Sequence, residues 1–259
     1  MRYGVLADIH GNYFALRAAI KRLRREGVEA WLCAGDLIGY GPQPNECVEA
    51  VAELGALCVA GNHELILLGR LSDERSSRLA RHTITWTREV LRDDCRSFLA
   101  GLPTVATAPG VVMAHGSLDD PEEYVLHDAQ AAQQLRRLEL DYSTANLLIL
   151  GHTHRLRIYH QRRGTLLPAV ADEVPLPPGR VLVNPGSVGQ SRQRERTPLV
   201  RFMLLDVERR QARPLSTAYD VAACRRALRQ HNLPRDAIHL RPGRVATARR
   251  RARNLLQRR

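Results

Sequence analysis

The chain has 259 residues, 44% of them hydrophobic and 25% charged. These proportions exclude a disordered, collagen-like or low-complexity protein, and the length buries a core without disulfides. No apolar run approaches the roughly 18–20 residues of a membrane helix. From the first residues, Tyr3 to Ala7 reads as a strand, and Tyr13 to Arg25 as a helix with Leu16, Ile20 and Leu23 on one face. Ala30 to Ala34 is a second strand. After the loop Gly39-Tyr40-Gly41-Pro42, Asn45 to Leu54 is a second helix, and Leu57 to Ala60 a third strand. This βαβαβ opening predicts an α/β protein with a parallel sheet. Residues 65–100 break the rhythm and read as a helical insertion. Val111 to Ala114 returns to strand, Asp128 to Leu138 is helical, and Leu147 to Leu150 is a buried strand. Strand-like runs at Leu156 to His160, Val181 to Val183 and Leu199 to Asp206 predict a second, more antiparallel sheet. Asp220 to His231 is helical. Arg244 to Arg259 holds seven arginines and no acid, with Val245, Ala248, Ala252 and Leu255 on one face of a last helix.

Charge and cysteines narrow the setting. The formal balance is +12, and every basic residue except Lys21 is arginine. The Arg-rich tail is a candidate contact for nucleic acid, or a solvated helix face. The five cysteines (33, 47, 58, 95 and 224) form no CxxC pair, so free thiols are expected. With no signal-peptide pattern after Met1, the protein is expected in the cytoplasm and off the membrane.

The chemistry gathers where strands end. The runs are Asp8-Ile9-His10-Gly11, Gly35-Asp36, Gly61-Asn62-His63-Glu64, His115-Gly116 and Gly151-His152-Thr153-His154. Open α/β sheets bind ligands beyond the carboxyl ends of their strands. Five such ends bring Asp8, His10, Asp36, Asn62, His63, His115, His152 and His154 together. In extended chain, residues two apart point the same way, which pairs Asp8 with His10 and His152 with His154. Carboxylate, imidazole and amide oxygen suit a divalent ion such as Mn²⁺, Fe²⁺, Co²⁺, Ni²⁺ or Zn²⁺. Seven ligands exceed what one ion takes with room for substrate, so they suit two ions sharing a carboxylate.

This motif set resembles that of the calcineurin-like metallophosphoesterases over residues 1–243. Asn184-Pro185-Gly186-Ser187, and the stretch from Tyr219-Asp220 through Leu233-Pro234, resemble the small bacterial and archaeal phosphodiesterase-like branch. The resemblance implies a four-layer αββα sandwich with two mixed β-sheets and a dinuclear metal site at the strand C-terminal ends. It implies one ion on Asp8, His10, Asp36 and His154, and a second on Asp36, Asn62, His115 and His152. Manganese is the first choice of metal. His63 is then no ligand: it faces substrate as general acid or transition-state stabiliser while a hydroxide held by the two ions attacks phosphorus. Asn62, His63 and Ser187 are the expected substrate contacts. The expected domain is residues 1–243, with 65–100 beside the site and 244–259 as a basic C-terminal helix.

The protein Ser/Thr phosphatase branch carries an Asp-Arg pair soon after its Gly-Asp motif. Here the run is Gly35-Asp36-Leu37-Ile38-Gly39-Tyr40-Gly41, without arginine. A diester needs less charge neutralisation than a dianionic monoester, so a small phosphodiester or nucleotide is the expected substrate. Arg70, Arg75, Arg78, Arg81 and His82 are candidates to replace the missing contact. The alternatives are a phosphomonoesterase or a protein or nucleotide phosphatase, a nuclease tethered by the basic tail, and a non-catalytic scaffold. Oligomeric state is left open.

Overall fold

The computed structural model describes residues 1–166 and 173–240. The Arg-rich segment 244–259 lies outside them. The order is β1 (Arg2–Leu6), α1 (Tyr13–Arg25), β2 (Ala30–Cys33), α2 (Pro44–Glu53), β3 (Leu57–Cys58), α3 (Asn62–Leu67), α4 (Arg78–Val90), α5 (Asp93–Ala100), β4 (Val105–Ala108) and β5 (Val111–Ala114). It continues with α6 (Asp128–Asp141), β6 (Leu147–Ile149), β7 (Arg157–His160), β8 (Gly164–Leu166), β9 (Val174–Pro175), β10 (Val181–Asn184), β11 (Val200–Asp206), β12 (Gln211–Thr217), α7 (Val221–Gln230) and a 3-10 turn (Arg235–Ile238).

Two six-stranded sheets result, ordered β3-β2-β1-β11-β12-β9 and β4-β5-β6-β10-β7-β8. Both are mixed. β1, β2 and β3 run parallel, as do β5, β6 and β10, while β11 and β7 join antiparallel. Strand alternation sorts the side chains into layers. On β1, Tyr3 and Val5 pack with Met113, Ile149 and Val183 between the sheets. Leu6 turns outward to Leu16 and Leu23 of α1. On the far face, Val112 and Leu148 meet Ala131, Leu135 and Leu138 of α6. The layers are therefore helix, sheet, sheet, helix, as the resemblance implied.

The sequence reading divides the strands differently. It groups β5 and β6 with the opening parallel run, yet they belong to the second sheet. It places Leu199–Asp206 in the second sheet, yet β11 lies antiparallel beside β1, with Gly4 opposite Leu204. Runs of apolar residues report burial, not which sheet buries them. β12 was not identified, because Pro214 lacks a ladder N–H. It is tolerated there because β9 covers only Gln211 and Ala212, leaving the rest of β12 as an edge. Residues 65–100 are helical, and Ile66, Leu67, Ile84, Cys95 and Leu99 pack into the core shared with α1 and α2. Among the described residues no helix is long and apolar enough to cross a membrane.

Candidate metal centre

The parallel strands of both sheets end at one rim, and their exits carry the polar residues. Asp8 and His10 follow β1, Asp36 follows β2, His115 follows β5, and His152 and His154 follow β6. Asn62 and His63 open α3. All eight are buried. Asp8, His10, Asp36, Tyr40, His152 and His154 have φ between +50° and +63°. Non-glycine residues seldom adopt this left-handed region, and such strain collects at functional sites. The extended geometry expected for the Asp8/His10 and His152/His154 pairs is thus corrected. Each pair converges through left-handed turns, which curl the chain over the strand end instead of continuing it.

The ring nitrogens are set by carbonyls. His10 Nδ1 lies 3.2 Å from Ile38 O, His115 Nδ1 2.7 Å from Ala34 O, and His154 Nδ1 2.8 Å from Gln190 O. A carbonyl only accepts, so each Nδ1 donates and carries the hydrogen. Each Nε2 then turns a lone pair inward. His152 is reversed: its Nε2 donates to Glu122 O at 3.1 Å, leaving Nδ1 for the centre. Hydrogen bonding of the far nitrogen is how metal-binding histidines are oriented.

The inward atoms crowd together. His10 Nε2 and His154 Nε2 are 3.1 Å apart, and His154 Nε2 is 3.3 Å from Asp8 Oδ1. Asp36 Oδ2 lies 3.6 Å from His10 Nε2, 3.2 Å from His115 Nε2 and 3.9 Å from His63 Nε2. His115 Nε2 is also 3.2 Å from Asn62 Oδ1. Three clusters have metal-ligating spacing: Asp8 with His10 and His154; His10 with Asp36 and His63; and Asp36 with His115 and His152. Asp36 belongs to two of them. The second includes His63, which the resemblance leaves outside the ligand set.

Electrostatics without an ion are unfavourable. Burial pushes His10 and His154 well below the usual imidazole range, so two neutral rings aim lone pairs at each other. Burial, aided by Asp36, lifts the Asp8 carboxyl to about 7, and its Oδ2 has no hydrogen-bond partner. Burial opposes charge on His115 too, but the Asp36 and Asp8 carboxylates raise it to about 10. Burial also opposes ionisation of Asp36, yet His115, His63 and His10 hold it well below the usual carboxylate range. Acceptors converging with too few donors are the donor set of a cation site.

Three side chains outside the lone-pair set build the turns. Glu64, fully buried, accepts from four backbone amides: Asp36 N (2.8 Å), Leu37 N (2.9 Å), Ile38 N (3.2 Å) and Gly61 N (2.8 Å). It clamps the loop after β2 to the start of α3, a role that its place after His63 only hinted at. Gly61 permits the approach, since a Cβ there would lie 2.2 Å from Asp36 Oδ1. Asn184 Nδ2 donates to Gly151 O (2.6 Å) and Thr153 Oγ1 (3.1 Å), bracing the His152–His154 turn. Ser187 is placed otherwise than expected. Its buried hydroxyl donates to Asp8 O (2.9 Å) and accepts from Gln190 N (3.0 Å), so it supports the Asp8 turn and does not line the cavity.

A cleft of about 320 Å³ opens over this floor of Asp36, Asn62, His63 and His152. Tyr40 packs its ring on His10 and His63, with centroids 4.7 and 4.8 Å away. Tyr124 lies on His152 at 4.0 Å. Of the five candidates in residues 65–100, only Arg75 reaches the cleft, and it pairs with Asp120 (3.0 Å) and Glu122 (3.1 Å). Arg192 also lines the cleft. Sequence reasoning passed over it, because one arginine among so many carries no signal.

Residues 1–210 match the sequence model of the calcineurin-like phosphoesterase superfamily domain. The chain belongs to that superfamily. An uncharacterized protein of Methanocaldococcus jannaschii is 31% identical over 194 residues, which cover 73% of this chain and 76% of that protein. Among solved structures, a metallophosphoesterase from Sphaerobacter thermophilus superposes with a TM-score of 0.80 and 27% identity, covering 92% of this chain and 97% of that one. A hypothetical protein from Pyrococcus horikoshii has the same fold, with a TM-score of 0.73, 21% identity and coverage of 92% and 96%. Calcineurin-like phosphoesterases depend on two metal ions, and the orphaned Asp8 Oδ2 and facing imidazole lone pairs of this one fit such a pair.

Proposed function

We propose that this metallophosphoesterase hydrolyses phosphodiesters, with nucleotide-like or other small diesters as substrates. The observation that carries the reading is the pair of buried ligand clusters, Asp8 with His10 and His154 and Asp36 with His115 and His152, joined where Asp36 Oδ2 lies 3.6 Å from His10 Nε2. One ion would be held by Asp8, His10, Asp36 and His154, the other by Asp36, Asn62, His115 and His152. With all five cysteines buried elsewhere, the donors are nitrogen and oxygen only, which suits a divalent ion such as Mn²⁺, Fe²⁺, Co²⁺, Ni²⁺ or Zn²⁺, with manganese the first to test. When bound, two such ions supply a nucleophile at neutral pH and neutralise charge on phosphoryl oxygens.

The protein's own groups do the rest. His63 faces the cleft beside Asp36. Burial holds its imidazole below the usual range, with Asp36 pulling the other way. A neutral imidazole still has one N–H to donate to a leaving oxygen or to charge developing on phosphorus. The run that follows Asp36, Leu37-Ile38-Gly39-Tyr40-Gly41, brings no arginine to the site. Arg75 is neutralised by two carboxylates. Arg192 is then the one guanidinium lining the cleft, among the described residues, without a carboxylate hydrogen-bond partner, and a single such charge suits a monoanionic diester better than a dianionic monoester. The buried thiols agree with a cytoplasmic setting.

The test compares an aryl phosphodiester with the matching monoester in the presence of Mn²⁺. A faster diester rate, abolished by chelator and restored by metal, is expected. A monoester rate above the diester rate would replace this reading with a phosphomonoesterase. No turnover of either by protein shown to hold two ions would favour a scaffold.

A further inference from the structure

Two guanidinium groups line the cleft, and they differ in how their charge is met. Arg75 is paired with Asp120 and Glu122. Arg192, half-buried, has only neutral partners among the described residues. Its Nε donates to Gln190 Oε1 at 3.0 Å, and its Nη1 reaches Tyr124 Oη at 3.4 Å. Of its five N–H bonds, both on Nη2 and one on Nη1 have no partner among the described residues. A cation drawn partly out of water with no carboxylate in hydrogen-bond reach is costly unless an anion completes the site.

The arginine is also held in place from behind. Gln190 is fully buried, and its polar groups are engaged. Its N–H donates to Ser187 Oγ, its carbonyl accepts from His154 Nδ1 at 2.8 Å, and its Nε2 donates to Ala237 O at 3.0 Å. One residue thus sets both the imidazole of His154 in the centre beneath the cleft and the guanidinium on the cleft wall. The charge of Arg192 is felt at Asp8, His10, His63, His152 and His154, so it lies within range of whatever the floor binds.

We propose that Arg192 grips the non-bridging oxygens of the substrate's phosphoryl group through its open Nη edge, with Gln190 as the positioning residue behind it. The planar fork of a guanidinium matches two phosphate oxygens, as an ammonium does not. The proposal rests on the phosphoester reading of the cleft and adds the residue that holds the anion there.

The experiment uses the full-length, Mn²⁺-loaded protein with inorganic phosphate as probe. Binding is followed by calorimetry and, separately, by inhibition of aryl phosphodiester hydrolysis. Arg192→Gln is expected to weaken phosphate binding about 10- to 100-fold and to raise the diester KM similarly, while metal content and thermal midpoint stay near wild type. Arg192→Lys should recover only part of the loss. Arg17→Gln, on the exposed face of α1, removes the same net charge away from the cleft and should leave phosphate affinity unchanged. Phosphate binding by Arg192→Gln at wild-type strength would overturn the proposal, as would an equal loss in Arg17→Gln. A fall in thermal midpoint or metal content that accounts for the lost affinity, with Arg192→Lys fully restored, would make the arginine a structural strut. Should the wild type hydrolyse no ester yet bind phosphate in an Arg192-dependent way, the hydrolase reading fails and this one stands.

Discussion

His63 sits 3.9 Å from the carboxylate that two clusters share, and its buried Nδ1 has no hydrogen-bond partner among the described residues. That position suits a group that works on substrate. His63→Asn should lower kcat by about 10²- to 10⁴-fold, the range of a positioned acid or donor. Metal content by emission spectroscopy should remain that of wild type, and its loss would make His63 a ligand. Gly39 provides a second handle on the same ring. Its φ is +80°, and a Cβ would lie 2.2 Å from His63 Nδ1. Gly39→Ala should therefore displace His63, reproduce much of the kcat loss and cost about 1–3 kcal/mol of stability through backbone strain. Wild-type kcat in that variant would show that the ring has room to move without consequence.

The turns between elements hold the centre's geometry, and Glu64, Asn184 and Ser187 tie them. Glu64 joins the β2 exit to α3 through four amides, so Glu64→Ala strands four buried donors. A loss of about 2–4 kcal/mol in denaturant melts is expected, with weaker metal retention. Stability within 0.5 kcal/mol of wild type, on the order of a surface change, would mean the loop does not need the carboxylate. Ser187 joins the β10 exit to the Asp8 turn. Ser187→Ala should cost about 1–2 kcal/mol and loosen metal binding, with the KM for an aryl diester nearly unchanged. A rise in KM without loss of metal would return Ser187 to the substrate. Motif spelling located this loop near the site, but the direction of the hydroxyl depends on Asp8 O, 179 residues away in the chain.

The whole molecule brings one ion-binding floor from segments spread between Asp8 and His154, so the ligands converge only when both sheets are packed. Metal should therefore stabilise the folded chain strongly, by about 2.7 kcal/mol at a hundredfold excess over Kd. The pH dependence follows from the raised groups. Without metal, folded Asp8 keeps its proton to about 7 against a usual 3.8, and His115 to about 10 against 6.5. At these two groups the folded state binds more protons than the unfolded one, so their contribution to metal-free stability falls as pH rises through the two windows, while His10, His63, His152 and His154, held low by burial, act in the opposite sense below the usual imidazole range. Asp36, held low, titrates below this range. Metal replaces the protons on Asp8 and His115, so the gain in Tm from added Mn²⁺ should be larger at pH 8 than at pH 6. An equal or smaller gain at pH 8 would show that these two residues do not exchange protons for metal.

Much of this was legible in the amino-acid order. Apolar runs closed by Asp, His, Asn and Gly mark strand exits wherever they occur, because a buried strand needs continuous apolar residues and a ligand-bearing turn cannot have them. That pattern alone named the eight residues of the centre. Tertiary structure decided what depends on distant partners. It paired β11 with β1 and put β5 and β6 in the other sheet, since apolar runs do not name their neighbours. It chose the lone-pair direction of each histidine, through carbonyls of Ile38, Ala34, Gln190 and Glu122 that no motif encodes. It turned Ser187 away from the cleft and left Arg192, one arginine among many, as the cleft's guanidinium without a carboxylate partner among the described residues.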